Sequence, residues 1–149
     1  MPARYKSRQR AVQVLFQCDL REHGPTEGLE AFYGSLYLEE GDEAISQDLL
    51  LEELVRGTLR VQPDVDELIR RHSVNWRLER MPLVDRNILR MGIFEMLHLG
   101  TPPAVVIDQA IELARRFSGE ASVPFINGVL DAVRREHLAS LPDEVSPTF

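Results

Sequence analysis

The chain is expected to fold as an all-α protein of about seven helices arranged in two small packed helical bundles. Three observations predict this. Apolar residues recur at intervals of three and four along most of the sequence. No stretch alternates apolar and polar residues with period two over a useful length, so no strands are expected. Residues 102–133, PPAVVIDQAIELARRFSGEASVPFINGVLDAV, spell out two amphipathic helices joined by a short turn. A length of 149 residues, 44% of them hydrophobic and 28% charged, suits one soluble globular domain with a core of its own. That domain is expected over 1–141, with an N-terminal half at 1–74 and a C-terminal half at 75–141. The tail at 142–149, PDEVSPTF, is expected to be disordered.

Residues 1–7 have no apolar period and read as a mobile arm. A first helix is expected from Ser7 to Arg21, with Ala11, Val12, Leu15, Phe16 and Leu20 at core spacing. Arg8, Gln9, Arg10, Gln13 and Gln17 are read on or beside its polar side. Arg4, Lys6, Arg8 and Arg10 precede the first acidic residue, whereas every charged residue from Glu22 to Val55 is Asp or Glu. The net charge of −7 therefore does not exclude an anionic partner, because phosphate contacts are local and screened beyond about 10 Å. Cations are unfavourable at a helix N-terminus, so four of them there point to an anion outside the helix. A phosphate backbone fits, with Gln13 in reach of a base edge. The alternative is a solvated helix start with incidental arginines.

After the loop at His23–Thr26, a second helix is expected from Glu27 to Leu38. Its Tyr33 and Tyr37 offer rings for base stacking, although core or rim packing is the commoner use of such residues. A third helix is expected from Ile45 to Val61, burying Leu49, Leu50, Leu54, Val55 and Leu59. The Pro63-Asp64 pair starts a fourth, from Asp64 to His72, that buries Val65, Leu68 and Ile69. Residues 75–81 form a link in which Trp76 is expected to anchor in the core. A fifth helix follows Pro82 and runs to Leu99. Its apolar residues go most of the way round, which marks a helix buried on several sides and central to the C-terminal half.

The sixth helix is expected to be capped by Thr101, with Pro103 in its first turn. Val106, Ala110, Leu113, Ala114 and Phe117 lie on its apolar side. Ser118-Gly119 stops it, and Ser122 is expected to cap the seventh. There Phe125, Ile126, Val129, Leu130 and Val133 make a face. Gly128 sits inside this helix at a cost of roughly 1 kcal/mol relative to Ala. Either a neighbouring helix approaches closely over it, with Asn127 bonded to that neighbour, or the Asn127-Gly128 pair belongs to a recognition surface.

Chemistry has little support in this sequence. His23, His72, His98 and His137 are scattered, and no two have the i, i+4 spacing of a helical metal site. No phosphate-binding Gly loop or dinucleotide fingerprint occurs. Cys18 reads as a small buried thiol and fits a reducing cytoplasm. No apolar run reaches the roughly 18 residues of a membrane span, and the N-terminus lacks the apolar core of a signal peptide. No enzyme activity, cofactor, metal or membrane association is expected.

VVIDQAIELARRF followed by FINGVLDAV resembles the C-terminal signature of the NusB family of transcription antitermination factors. SRQRAVQVLFQCDL, the helix between Gln47 and Arg60, and NWRLERMPLVDRNILRMGIFEML match in order, so the resemblance runs from Arg4 to Val133. The FINGVLD segment is shared with the N-terminal domain of a class of ribosomal RNA cytosine methyltransferases, but those need a large cofactor-binding domain after it, for which 149 residues leave no room. The resemblance implies an RNA-binding antitermination factor that pairs with the ribosomal protein NusE. The pair would bind boxA of nascent ribosomal RNA transcripts and join RNA polymerase with other Nus factors. It implies RNA contacts at Arg8 and Gln13, at Arg4, Lys6 and Arg10 beside them, and at Ser122 and Phe125. The chain differs from the family pattern at Ala121, where an acidic residue is usual, and at Asp108-Gln109, where Asn-Glu is usual. Some relatives self-associate through the RNA surface, so a homodimer is among the states the resemblance allows. Two rival readings are a helical RNA-binding module in ribosomal RNA maturation and a pure protein-interaction bundle.

Overall fold

The computed structural model describes residues 4–40, 47–73 and 77–138. Among them are seven α-helices and no strand. The expectations for Trp76 and for the tail at 142–149 fall outside the described residues. The chain divides into two compact units, Met1–Arg60 and Val61–Phe149. This division comes earlier than the expected halves at 74/75, because the fourth helix packs on the helices that follow it.

In the first unit, α1 (Arg4–Arg21), α2 (Pro25–Glu40) and α3 (Leu49–Arg60) pack pairwise on one another. Their core is built from Ala11, Val12, Leu15, Cys18, Leu29, Leu36, Leu51, Leu54 and Val55, all buried. Here α1 starts at Arg4 rather than Ser7, so much of the expected arm is helical. Gly28 lies directly over Cys18, where an added Cβ would collide with Sγ, so α1 and α2 approach closely at this point. The third helix is shorter than expected at its start. Gln47 and Asp48 precede it, and the Asp48 carboxylate accepts a hydrogen bond from the Leu51 N–H at 3.0 Å, the bond of a helix N-cap.

In the second unit, α4 (Gln62–His72) and a 3-10 turn at Leu78–Arg80 lead to α5 (Leu83–His98). The last pair, α6 (Pro103–Phe117) and α7 (Val123–Leu138), packs on α5 and on each other. Every residue of α5 from Asn87 to Met96 is buried, as the all-round apolar pattern predicts. Gly92 admits Leu130 and Val106 to within 3.3 and 3.4 Å of where its Cβ would sit. Helix α4 is tied to α5 by a buried ion pair, Arg90 Nε to Asp66 Oδ1 at 2.7 Å. It is tied to α7 by Arg71 and His72, which both meet the Glu136 carboxylate.

Two local expectations are corrected. Thr101 does not cap α6, which begins after Pro102 with no side-chain cap; its hydroxyl donates to Glu95 Oε2 at 3.0 Å instead. Gly128 is exposed, with nothing within 4 Å of an added Cβ, so no helix approaches closely there. The close approaches occur at Gly28 and Gly92. Gly119, by contrast, does close the turn between α6 and α7 at φ 139°, a conformation that glycine adopts without strain. No helix among the described residues is long and apolar enough to cross a membrane.

Candidate functional site

The expected site residues fall in both units. In the first, the helical wheel of α1 decides which side chains face solvent. With 100° per residue, Lys6, Gln13 and Gln17 share one side, and all three are exposed. Arg4 lies toward the other side and is exposed at the helix start.

Arg8 is different. It sits three residues before Ala11, four before Val12 and seven before Leu15, which is core spacing. The structure buries it, with 3% of its surface exposed. The expectation that Arg8 lies on the polar face is therefore wrong. The same periodicity that identified the core would have placed Arg8 in it, had the positive charge not been read as a sign of exposure. Its long stem can pack among apolar side chains, and its charge is accommodated inside the unit.

Arg10 is held at the edge of the same unit. Its Nη1 donates to Asp48 Oδ2 at 3.1 Å, with 14% of the arginine side chain exposed and 2% of the aspartate. The guanidinium also stands 6.0 Å over the ring of Phe32, within cation–π range. Ser7 donates to both oxygens of Asp48, at 2.8 and 2.9 Å. The Asp48 carboxylate thus accepts from three donors, the Ser7 hydroxyl shared between its two oxygens, Arg10 and the Leu51 N–H that it caps. Sequence reasoning missed this residue, although an Asp directly before a Leu-Leu-Leu run is a helix-start signal.

Tyr33 is half-buried and engaged. Its hydroxyl accepts from the Asp48 N–H and donates to Glu52 Oε2, both at 3.0 Å. Burial chiefly, with Glu52 next to it, pushes this phenol above its ordinary value. The side chain is a packing and bonding element rather than a free stacking ring.

In the second unit, Ser122 ends a 3-10 turn at Glu120–Ser122 and Phe125 follows in the first turn of α7. Both are half-buried, and Asn127 and Gly128 beyond them are exposed. The Ser122 hydroxyl donates to Asp85 Oδ2 at 2.8 Å, and Ser118 Oγ lies 2.8 Å from Ser122 Oγ. Asp85, in the first turn of α5, is 4% exposed. Its other oxygen has no hydrogen-bond partner among the described residues. The family resemblance singles out Ser122 and Phe125 in the sequence, but neither Ser118 nor Asp85, to which Ser122 is bonded here.

Among the described residues, no group of three or more His, Cys, Asp or Glu side chains is placed to hold a metal ion. What the arrangement offers is binding chemistry. In the first unit Lys6 and Arg4 present exposed cations and Gln13 an exposed amide; in the second, taken by itself, Phe125 presents a partly exposed ring and Ser122 a hydroxyl held by Asp85.

The chain as a whole is similar to known proteins. The family model described as the NusB family matches residues 5–135. The transcription antitermination protein NusB of Solibacter usitatus is 52% identical over 136 residues, 91% of either chain. The structure of T. maritima NusB superposes with a TM-score of 0.74 at 35% identity, over 91% of this chain and 93% of that one. A crystal structure of antitermination factors NusB and NusE in complex with double-stranded RNA gives 0.75 at 27% identity, over 91% and 100%.

Proposed function

This chain belongs to the NusB family, and from that premise we propose that it is an RNA-binding transcription antitermination factor. With the ribosomal protein NusE it binds boxA of nascent ribosomal RNA transcripts and acts on elongation by RNA polymerase. The observation that carries this reading is the family match across residues 5–135, together with a relative that shares about half of all aligned positions. The NusB–NusE–RNA complex among the structural neighbours supports both RNA and NusE as partners.

The mechanism is association without bond chemistry. Lys6 and Arg4 displace counterions from phosphates, and each neutralised phosphate steepens the salt dependence of binding. Gln13 can accept from and donate to a base edge, and Phe125 offers a face to a base. Arg10 keeps only its outer edge for RNA, since Asp48 holds the guanidinium. Arg8 acts by supporting the helix from within the unit. Contacts to other Nus factors and polymerase would follow from assembly with NusE. Such a complex works in the cytoplasm.

The test is RNA affinity for a boxA strand against a scrambled strand, at two salt concentrations, with and without NusE. Tighter binding to boxA that NusE strengthens and salt weakens is the expected result. Equal, weak binding to both strands with no NusE effect would overturn the reading and leave a helical bundle that binds protein partners alone. Salt-sensitive RNA binding without preference for boxA would instead favour a role in ribosomal RNA maturation.

A further inference from the structure

Ser118, Ser122 and Asp85 form a hydrogen-bonded chain whose direction can be worked out from its buried end. A carboxylate oxygen only accepts, and a serine hydroxyl has a single proton. The Ser122 proton is committed to Asp85 Oδ2 at 2.8 Å. The 2.8 Å contact between the two serine oxygens must then be made by the Ser118 proton, donated to Ser122. Both protons point inward, toward a carboxylate that is 4% exposed. Ser118 is itself exposed, so its Oγ turns only lone pairs to the outside.

From this geometry we propose that Ser118, oriented through Ser122 by Asp85, is a hydrogen-bond acceptor that reads a donor group of bound RNA. The donor is a base amino group or a ribose 2′-hydroxyl. This rests on the RNA-binding reading above and adds the class of group recognised. A phosphate oxygen is excluded from the position, because it has no proton to offer and meets a lone pair backed by a buried negative charge. Lys6 and Arg4 take phosphates. The Ser118 end of the chain takes a donor, and so contributes discrimination rather than charge-driven affinity. Asp85 is a positioning residue: it touches no RNA, and its buried carboxylate sets which way the two hydroxyls point.

The experiment uses the full chain and boxA RNA strands that each lack one donor. In one series an amino group is deleted, by purine for adenine, hypoxanthine for guanine or pyrimidin-2-one for cytosine. In the other a single 2′-hydroxyl is deleted. Affinities are measured for the wild type, Ser118→Ala and Asp85→Ala, with circular dichroism as the folding control. One deletion should weaken wild-type binding by about 5- to 10-fold, the scale of one neutral hydrogen bond. The same deletion should cost Ser118→Ala nothing, and it should cost Asp85→Ala less than the wild type. The series in which that deletion falls tells amino group from 2′-hydroxyl. If every deletion costs Ser118→Ala as much as the wild type, the proposal is wrong while the RNA-binding reading stands. If the wild type binds no RNA, that reading falls and this one with it. Should Asp85→Ala fail to fold, the Ser118→Ala comparison alone decides.

Discussion

The guanidinium of Arg90 grips the carboxylate of Asp66 through two parallel hydrogen bonds, Nε to Oδ1 at 2.7 Å and Nη2 to Oδ2 at 3.0 Å. The arginine side chain is 4% exposed and the aspartate 11%, and Nη1 also reaches Asn87 Oδ1 at 3.3 Å. This bidentate pair joins α4 to α5, which is why α4 belongs to the second compact unit.

Removing one member of such a pair leaves the other buried without its counter-charge. Asp66→Ala should therefore destabilise the protein by about 3–5 kcal/mol. Exchanging both residues for apolar ones of similar size should cost far less. Urea unfolding of the single and double variants checks this. Equal losses would mean that packing rather than uncompensated charge sets the cost.

Arg8 and Lys6 should separate cleanly. Arg8→Ala opens the first unit and should lower the urea midpoint, because Arg8 is 3% exposed and packs at core spacing. Lys6→Ala should leave the midpoint unchanged and reduce the salt slope of RNA binding by about 0.7–0.9. A Lys6 variant with an unaltered slope would remove α1's exposed face from the RNA contact.

Gly128→Ala should stabilise the protein by about 0.5–1 kcal/mol, since an added methyl meets nothing within 4 Å and alanine is the better helix former. Gly28→Ala should destabilise it, because the new Cβ collides with Cys18 Sγ. The two midpoints should thus move in opposite directions. A destabilised Gly128→Ala would mean that this exposed turn of α7 needs glycine for some other reason.

The Glu136 carboxylate is held below the ordinary glutamate value of 4.5, chiefly by the hydrogen bond from His72 and then by the Arg71 charge, with His137 beside it. Since a carboxylate has no proton to give, His72 Nε2 is the donor across the 2.6 Å contact. A depressed folded value contributes stability that is complete above 4.5 and lost as pH falls through that folded value. Between about pH 6 and about pH 3.5, wild type should therefore lose more stability than Glu136→Gln. The difference should be modest, because the pair is partly exposed to solvent. Parallel pH curves for the two proteins would show that the α4–α7 contact is not held by this charge.

What the sequence by itself determined was the helical class, the order of the helices and most of their core residues. Periodicity encodes these directly: Ala11, Val12, Leu15, Ile126, Val129, Leu130 and Val133 all sit where a 3.6-residue repeat puts them, and all are buried. The family signature likewise resides in contiguous stretches, so it was readable without coordinates. The tertiary structure alone decided where each polar group's partner lies. Ser7 and Arg10 meet Asp48 across 41 and 38 residues. Ser122 meets Asp85 across 37 residues, and Arg90 meets Asp66 across 24. No periodic pattern records pairings at such separations, because they depend on how whole helices are brought together. This is also why Arg8 was misplaced and Asp48 overlooked. Charge alone suggested solvent for Arg8, and the helix-start signal at Asp48 does not say which distant side chains will meet it; only packing reveals a buried charge that has been given partners.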